Sequence, residues 1–470
     1  MKEREAIRMF DHIRPETLAE TDLGREESNS SASGSPAEAP KGRVFSWKPL
    51  LALAAALAIV AVSVLTATAP RSALGLAGPE YPPGTSYNDS KEYQDLDEGF
   101  LMNLGQFAFS STAQVFGRED SEKNLAYSPL SLFYALALAS EGAQGATRAE
   151  LLAALKMPDG ELMGRESAKL FQNLYTDNEI GKLLLANSLW LQEGVDFDQA
   201  FLDRAAREYY AHSFGVDFGD SATAKQISRW VSQHTGGKLG NDPKAFEPDP
   251  AQVMSLINTV YFYDQWTDEF DRQKTKEDVF NLAAGGTVKV PFMNKTTMAS
   301  FAQVAGCSVT SLGLKNRQQM LLILPDVGVS PRDILSAPDR LEQVLTSLGP
   351  DSLGQRWGDV ILSLPKFKFT NELNLKEVLK EMGVKEAFNQ TADFSGLAKI
   401  KPLFISAIQQ NLSMSIDEKG CEAAAYTEIR FCGSAPPEET FVMKLDRPFI
   451  FAITGGAGDA PLFIGVVNNP

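Results

Sequence analysis

Histidine and cysteine are scarce in this chain, with three of each in 470 residues, and either scarcity removes a class of chemistry. His12, His212 and His234 stand in no HExxH or other paired metal-ligand spacing, and Cys307, Cys421 and Cys432 fit no zinc pattern. Three is an odd number of thiols, so the chain is not a small fold stapled by disulfides. There is no GxSxG elbow, Walker loop or complete dinucleotide fingerprint, and Gly236-Gly-Lys-Leu-Gly240 reads as a helix stop and loop. Positive charge is also short: 44 Lys and Arg against 60 Asp and Glu give a net charge of −16, which repels phosphate backbones and excludes a nucleic-acid partner. No catalytic residue, metal site or cofactor is expected, and the chain reads as something other than an enzyme.

What is present suits a globular protein, with 44% hydrophobic and 22% charged residues. One segment, 49–70, is free of charge; about 20 residues at about 1.5 Å each match the roughly 30 Å hydrocarbon core of a bilayer. Lys41, Arg43 and Lys48 precede it and only Arg71 follows closely, so the positive-inside rule places the N-terminus in the cytoplasm. The expected organisation is a cytoplasmic, low-complexity tail at 1–48, a transmembrane anchor at 49–70, an extracytoplasmic linker at 71–94 and a folded domain at 95–470. Ala67-Thr-Ala69 also resembles a signal-peptide cleavage site, and cleavage there would leave a secreted protein instead.

The domain mixes helices and strands without strict alternation, which predicts an α+β fold with large sheets. Ser128-Pro129 opens a helix, and Thr147 with Glu150 has capping-box spacing ahead of Leu151 and Leu155. Ile227, Trp230 and Val231 share a helical face ended by Gly236-Gly237, and Leu375, Val378, Leu379 and Met382 form a second stripe stopped by Gly383. Apolar runs at 253–262, 319–324, 360–364 and 461–467 predict buried strands.

One stretch has an unusual pattern. From Ile416 through Glu418, Gly420, Cys421, Glu422, Ala423, Ala424, Ala425, Tyr426 and Thr427 to Pro436-Pro437, a strand gives way to a glycine, then to small residues, then to a proline pair. It resembles the hinge and reactive loop of serpins. Other blocks agree in order, among them Asn124-Leu-Ala-Tyr-Ser-Pro-Leu-Ser131, Ala186-Asn-Ser-Leu-Trp190, Asn258-Thr-Val-Tyr-Phe262 with Trp266, Leu364-Pro-Lys-Phe367, Asp446-Arg-Pro-Phe449 and Phe463-Ile-Gly-Val-Val-Asn-Asn-Pro470. The resemblance covers roughly residues 95 to 470.

It implies a serpin fold, with several helices packed on large mixed or antiparallel sheets and an exposed reactive-centre loop. It implies inhibition of serine-type proteases by a suicide-substrate route, in which the cleaved loop inserts into the main sheet and traps the acyl-enzyme, by a monomer whose partner is the target protease. The family's spacing from Glu418 puts the reactive bond at Ser434–Ala435, whose small residues suit elastase-like or subtilisin-like targets. Ser128, Ser131 and Asn258 match the region where the sheet opens, and Trp266 the aromatic at its top. Gln410 stands where many relatives carry a histidine. Cys421 in place of the usual Thr or Ser, and the bulky Tyr426, keep a non-inhibitory binding or scaffold protein as the alternative.

The residues themselves support insertion. Alternate side chains of a strand face opposite ways: Cys421, Ala423, Ala425, Thr427 and Ile429 make a small or apolar set, while Glu422, Ala424, Tyr426, Glu428 and Arg430 hold every charge and the tyrosine. Cys421 and Cys432 are also near enough in sequence for oxidation to clamp the loop, but two small, free thiols are the expectation, with the clamp as the alternative.

Overall fold

Short polar side chains mark the helix starts. In the computed structural model, which describes residues 74–84, 93–119, 122–246, 249, 252–349, 352–406, 408–421, 439–455 and 461–470, helix α1 (Glu98–Arg118) begins at Asp97, whose carboxylate accepts the Phe100 N–H at 2.8 Å. Helix α2 (Pro129–Gly142) begins at Ser128, whose hydroxyl accepts the Ser131 N–H at 3.2 Å, with Pro129 in the first turn. Nearly every residue of α2 is buried, as expected of a helix apolar all round.

Helix α3 (Gly145–Ala154) corrects the capping-box expectation, because it starts two residues before Thr147 and has no side-chain cap. Thr147 Oγ1 instead accepts the Asp393 N–H at 2.9 Å, and one Glu150 oxygen accepts the Lys385 and Glu386 N–H groups, both at 2.7 Å. The pair satisfies distant backbone donors rather than its own helix. Helices α4 (Gly160–Leu174), α5 (Gln199–Tyr209) and α6 (Ala222–His234) follow. The last buries Ile227, Trp230 and Val231 and ends ahead of Gly236 and Gly237, whose φ values of 57° and 76° turn the chain back.

Two sheets carry the core. The first runs in the order β1 (Leu74–Ala77), β5 (Ala211–Val216), β4 (Lys182–Gln192), β6 (Met254–Gln265), β14 (Gly420–Cys421), β13 (Gln409–Ile416) and β12 (Phe367–Asn374), with β3 (Thr176–Asp177) on β4. The second runs β15 (Thr440–Lys444), β11 (Arg356–Pro365), β8 (Thr287–Val304), β9 (Cys307–Gly313), β10 (Gln318–Pro325), β16 (Phe449–Gly455), β17 (Pro461–Val467) and β2 (Leu125–Tyr127), with β7 (Lys276–Asn281) on β8. The four apolar runs singled out in the sequence lie in β6, β10, β11 and β17. Beyond β2 the second sheet ends on a side chain: Asn371 accepts the Ala126 N–H and donates to the Ala126 carbonyl, both at 2.9 Å.

All described residues fall in one compact unit, Pro70–Pro470. No helix among them is long and apolar enough to cross a membrane; segment 49–70 and the tail 1–48 lie outside the described residues. The expected linker at 71–94 departs from a plain spacer. Its β1 pairs antiparallel with β5, and Ala77 and Tyr81 pack on the main core. The Tyr81 ring lies 5.4 Å from Tyr175 and 5.9 Å from Phe171, so apolar and aromatic contact holds this stretch to the domain.

Candidate functional site

Strands β6 and β13 are neighbours in the first sheet without being paired over most of their length. Only the two residues of β14 bridge them, through Gly420↔Gln265 and Cys421↔Asp264 on one side and Ile416↔Cys421 on the other. Below that bridge the facing edges have no strand partner among the described residues. A cavity of about 390 Å³ lies there, lined by residues of α2, α6, β6 and β13, including Ser131, Val231, Asn258 and Gln410. Below the bridge, the facing edges of β6 and β13 offer unpaired strand backbone on either side of this cavity.

Both sides of the gap are tied to the start of α2. On one side Asn258 of β6 bonds Ser131 Oγ through its carbonyl and donates to Asn187 Oδ1 at 2.6 Å, while Asn187 donates to the Tyr209 carbonyl at 2.6 Å. On the other, Gln410 of β13 accepts the Ser128 N–H at 2.8 Å and donates to the Ser128 carbonyl at 2.9 Å. The structure thus brings Ser128, Ser131 and Asn258 together as one clasp. Gln410, noted in the sequence only as a departure from relatives, completes it. Each partner is buried or half-buried, so a broken clasp leaves unsatisfied polar groups that cost about 1–3 kcal/mol each.

The upper end of the gap is held by a second cluster. Trp266, fully buried, donates its indole N–H to the Asp417 carbonyl at 2.9 Å and its backbone N–H to the Lys419 carbonyl at 2.8 Å. Glu418 accepts from Lys366 Nζ at 2.8 Å and from the Thr275 hydroxyl at 2.9 Å. Burial alone would raise the Glu418 carboxyl, but Lys366, the backbone and Thr275 together hold it below its usual value. Gly420 is required by close approach: a Cβ there would collide with the Asp264 carbonyl oxygen.

Cys421 is 2% exposed and faces the core beside Asp264, and burial, with Asp264 and Asp417 nearby, pushes its thiol well above the usual range. A thiol so buried and so reluctant to ionise is a poor redox partner; Cys432, its partner in the clamp weighed from the sequence, lies outside the described residues. Sequence reasoning missed Asp264, which is 1% exposed and accepts N–H groups from Asn316 and Gln265. Its signal was an acidic residue closing a long apolar run. Glu422, Ala423, Ala424, Ala425, Tyr426, Thr427, Ser434 and Ala435 lie outside the described residues. Among the described residues no group of three or more His, Cys, Asp or Glu side chains is placed to hold a metal ion.

The loop's two ends belong to different sheets. It leaves the first sheet at Cys421 and joins the second at Thr440, where β15 lies parallel to β11. The Serpin (serine protease inhibitor) family model matches residues 102–470. Alpha-1-antichymotrypsin of Homo sapiens is 31% identical over 400 residues, covering 80% of this chain and 91% of that one. The native-state crystal structure of Tengpin, a thermophilic serpin, superposes with a TM-score of 0.73 at 28% identity, covering 85% of this chain and all of that one. Human thyroxine-binding globulin superposes at 0.69 and 26% identity, covering 79% of this chain and 99% of that one. The family model that matches residues 102–470, with these relatives and structures, places the chain in the serpin family.

Proposed function

We propose that this chain inhibits serine-type proteases by letting the cleaved loop extend β14 down the gap as a new strand, so that the attached acyl-enzyme is carried away and distorted before its ester hydrolyses. The observation that carries the proposal is the register at the mouth of the gap. Continuing Cys421↔Asp264 and Ile416↔Cys421 in step brings Ala423 between Phe262 and Met414, Ala425 between Val260 and Leu412, and Thr427 between Asn258 and Gln410. Phe262 packs against Phe463, Val260 is packed on the main core, and Leu412 and Met414 are buried, so these three loop positions take up the core face. Small side chains meet large ones. The one polar member meets the two clasp amides, whose bonds to Ser131 and Ser128 the incoming strand replaces.

Scale favours trapping. About 14 inserted residues at about 3.3 Å each span about 46 Å, and at roughly 1 kcal/mol net per ladder bond the gain is on the order of 10 kcal/mol, comparable to typical native stability. Reactive-bond cleavage at Ser434–Ala435 is expected with an elastase-like or subtilisin-like protease. Incubation with pancreatic elastase should give a complex that survives boiling in detergent, and sequencing of the released fragment should start at Ala435. A start at Phe431 or Pro436 would move the bond; cleavage with no covalent complex would favour a binding or scaffold role, the class to which a thyroxine-binding neighbour points.

The uncharged segment 49–70 is proposed as an uncleaved anchor that holds the domain on the extracytoplasmic side. The full chain is then expected in the membrane fraction after alkaline carbonate washing, and external protease should digest the domain in intact cells. Recovery of a soluble form whose sequence begins at Pro70 would establish secretion instead.

A further inference from the structure

Two of the chain's three histidines, far from each other in any sequence pattern, meet on the face of the first sheet that α6 covers. His212 comes from β5 and His234 from the last turn of α6, and their ring centroids are 5.9 Å apart with planes at 58°. Both rings are half-buried rather than sealed. The Nδ1 of His234 lies 2.8 Å from the Trp230 carbonyl, so Nδ1 carries the proton and Nε2 keeps its lone pair. The Nδ1 of His212 stands 3.4 Å from the Tyr81 hydroxyl, a contact in which the donor depends on the ring's tautomer; in the tautomer with the proton on Nδ1, Nε2 is free here too. A ring nitrogen fixed by a backbone carbonyl or similar partner, with the opposite nitrogen free, is the usual support of a metal-binding histidine.

Distance agrees. A zinc–nitrogen bond of about 2.0–2.1 Å puts the metal about 3.2 Å from a ring centroid, so two rings on one ion stand about 5.2 Å apart at the tetrahedral angle and about 6.4 Å when opposed. The observed 5.9 Å lies between. Gly78 of the N-terminal stretch runs along one edge of the His212 ring, where a Cβ would stand 3.3 Å from His212 Cδ2 and 3.7 Å from Nε2.

We propose that His212 and His234 form a two-histidine site for a borderline divalent transition metal such as Zn²⁺ or Ni²⁺, water filling the remaining positions, and that the ion ties α6 to β5. The site is separate from the loop and the gap mouth, and stands or falls independently of the inhibitory mechanism.

The test uses the full chain, purified without a histidine tag, titrated with Ni²⁺ or Zn²⁺ alone at pH 7.5 by calorimetry and by thermal unfolding. One ion per chain is expected, with an unfolding temperature about 3 °C higher at 100 times Kd. Both effects should vanish in His212→Gln and in His234→Gln and persist in His12→Ala. Each variant is compared with its own metal-free unfolding temperature, so a loss of intrinsic stability does not obscure the reading. No binding to the wild-type chain, or a shift of equal size in either Gln variant, overturns the site.

Discussion

Ala425→Glu should turn the inhibitor into a substrate, while Ala424→Glu should leave it trapping protease. The continued register brings Ala425 between Val260 and Leu412 on the core face, where a carboxylate finds no partner and costs several kcal/mol. Ala424 falls opposite Tyr261 on the other face, toward Gly236 at the end of α6, where side chains are half-exposed. Insertion competes with deacylation. If about 2 kcal/mol of the Ala425→Glu cost is felt in the insertion transition state, insertion slows roughly 30-fold. The measurement is the number of inhibitor molecules consumed per molecule of elastase inactivated, which should rise many-fold for Ala425→Glu alone. Equal rises in the two variants, or none in either, would refute face-specific insertion.

Replacing Asp264 should flatten the pH dependence of stability. Burial pushes this carboxyl up from 3.8 to about 7, against the bonds from Asn316 and Gln265 and the pull of Lys315. Between those values the folded chain keeps a proton that the unfolded chain has released, so the contribution is greatest below pH 4 and is lost as pH rises to about 7, on the order of 4 kcal/mol in all. His212, lowered from 6.5 to about 4, acts in the opposite sense between those values, and His234, also lowered, acts with the same sign as His212. The comparison must therefore be between variants. Urea unfolding of wild type and Asp264→Asn at pH 5 and pH 8 should show wild type losing about 2.6 kcal/mol more on going to the higher pH. The absolute stability of the Asn variant is a poor guide, since its amide meets the Asn316 N–H donor. Identical pH slopes would mean that Asp264 is ionised throughout.

Much of this was legible in the sequence because the signals are local. Ser128-Pro129 states a helix start within two residues, and the apolar runs in β6, β10, β11 and β17 are long enough to name their strands. The small-and-large alternation from Cys421 onward needs no knowledge of what lies opposite, and Cys421 facing the core agrees with it. What could not be read depends on partners far along the chain. Thr147 and Glu150 match a capping box and cap other segments instead, because side chains bond whichever donors the fold delivers. The β1 stretch is too short for any period to mark it, and pairing supplies what its sequence lacks. His212 and His234 join only because α6 lies across β5, and Gln410 reads as a neutral change until Ser128 appears beside it.

The gap between β6 and β13 also sets where this protein is exposed to its own kind. Outer strand edges invite other chains to pair, and three of the four are blunted here: β1 is four residues long with a register shift, β12 presents Lys368 and Glu372, and Asn371 occupies the backbone of β2. Among the described residues, unpaired backbone also lies inside, along the two walls of the gap, protected by the clasp at α2 rather than by charge or twist. Heating or mutation that loosens Ser131–Asn258 or Ser128–Gln410 therefore uncovers a slot that fits a strand from any source. If the loop inserts as proposed, the same loop on a second copy is one such source, and linear self-association at high concentration is the expected outcome.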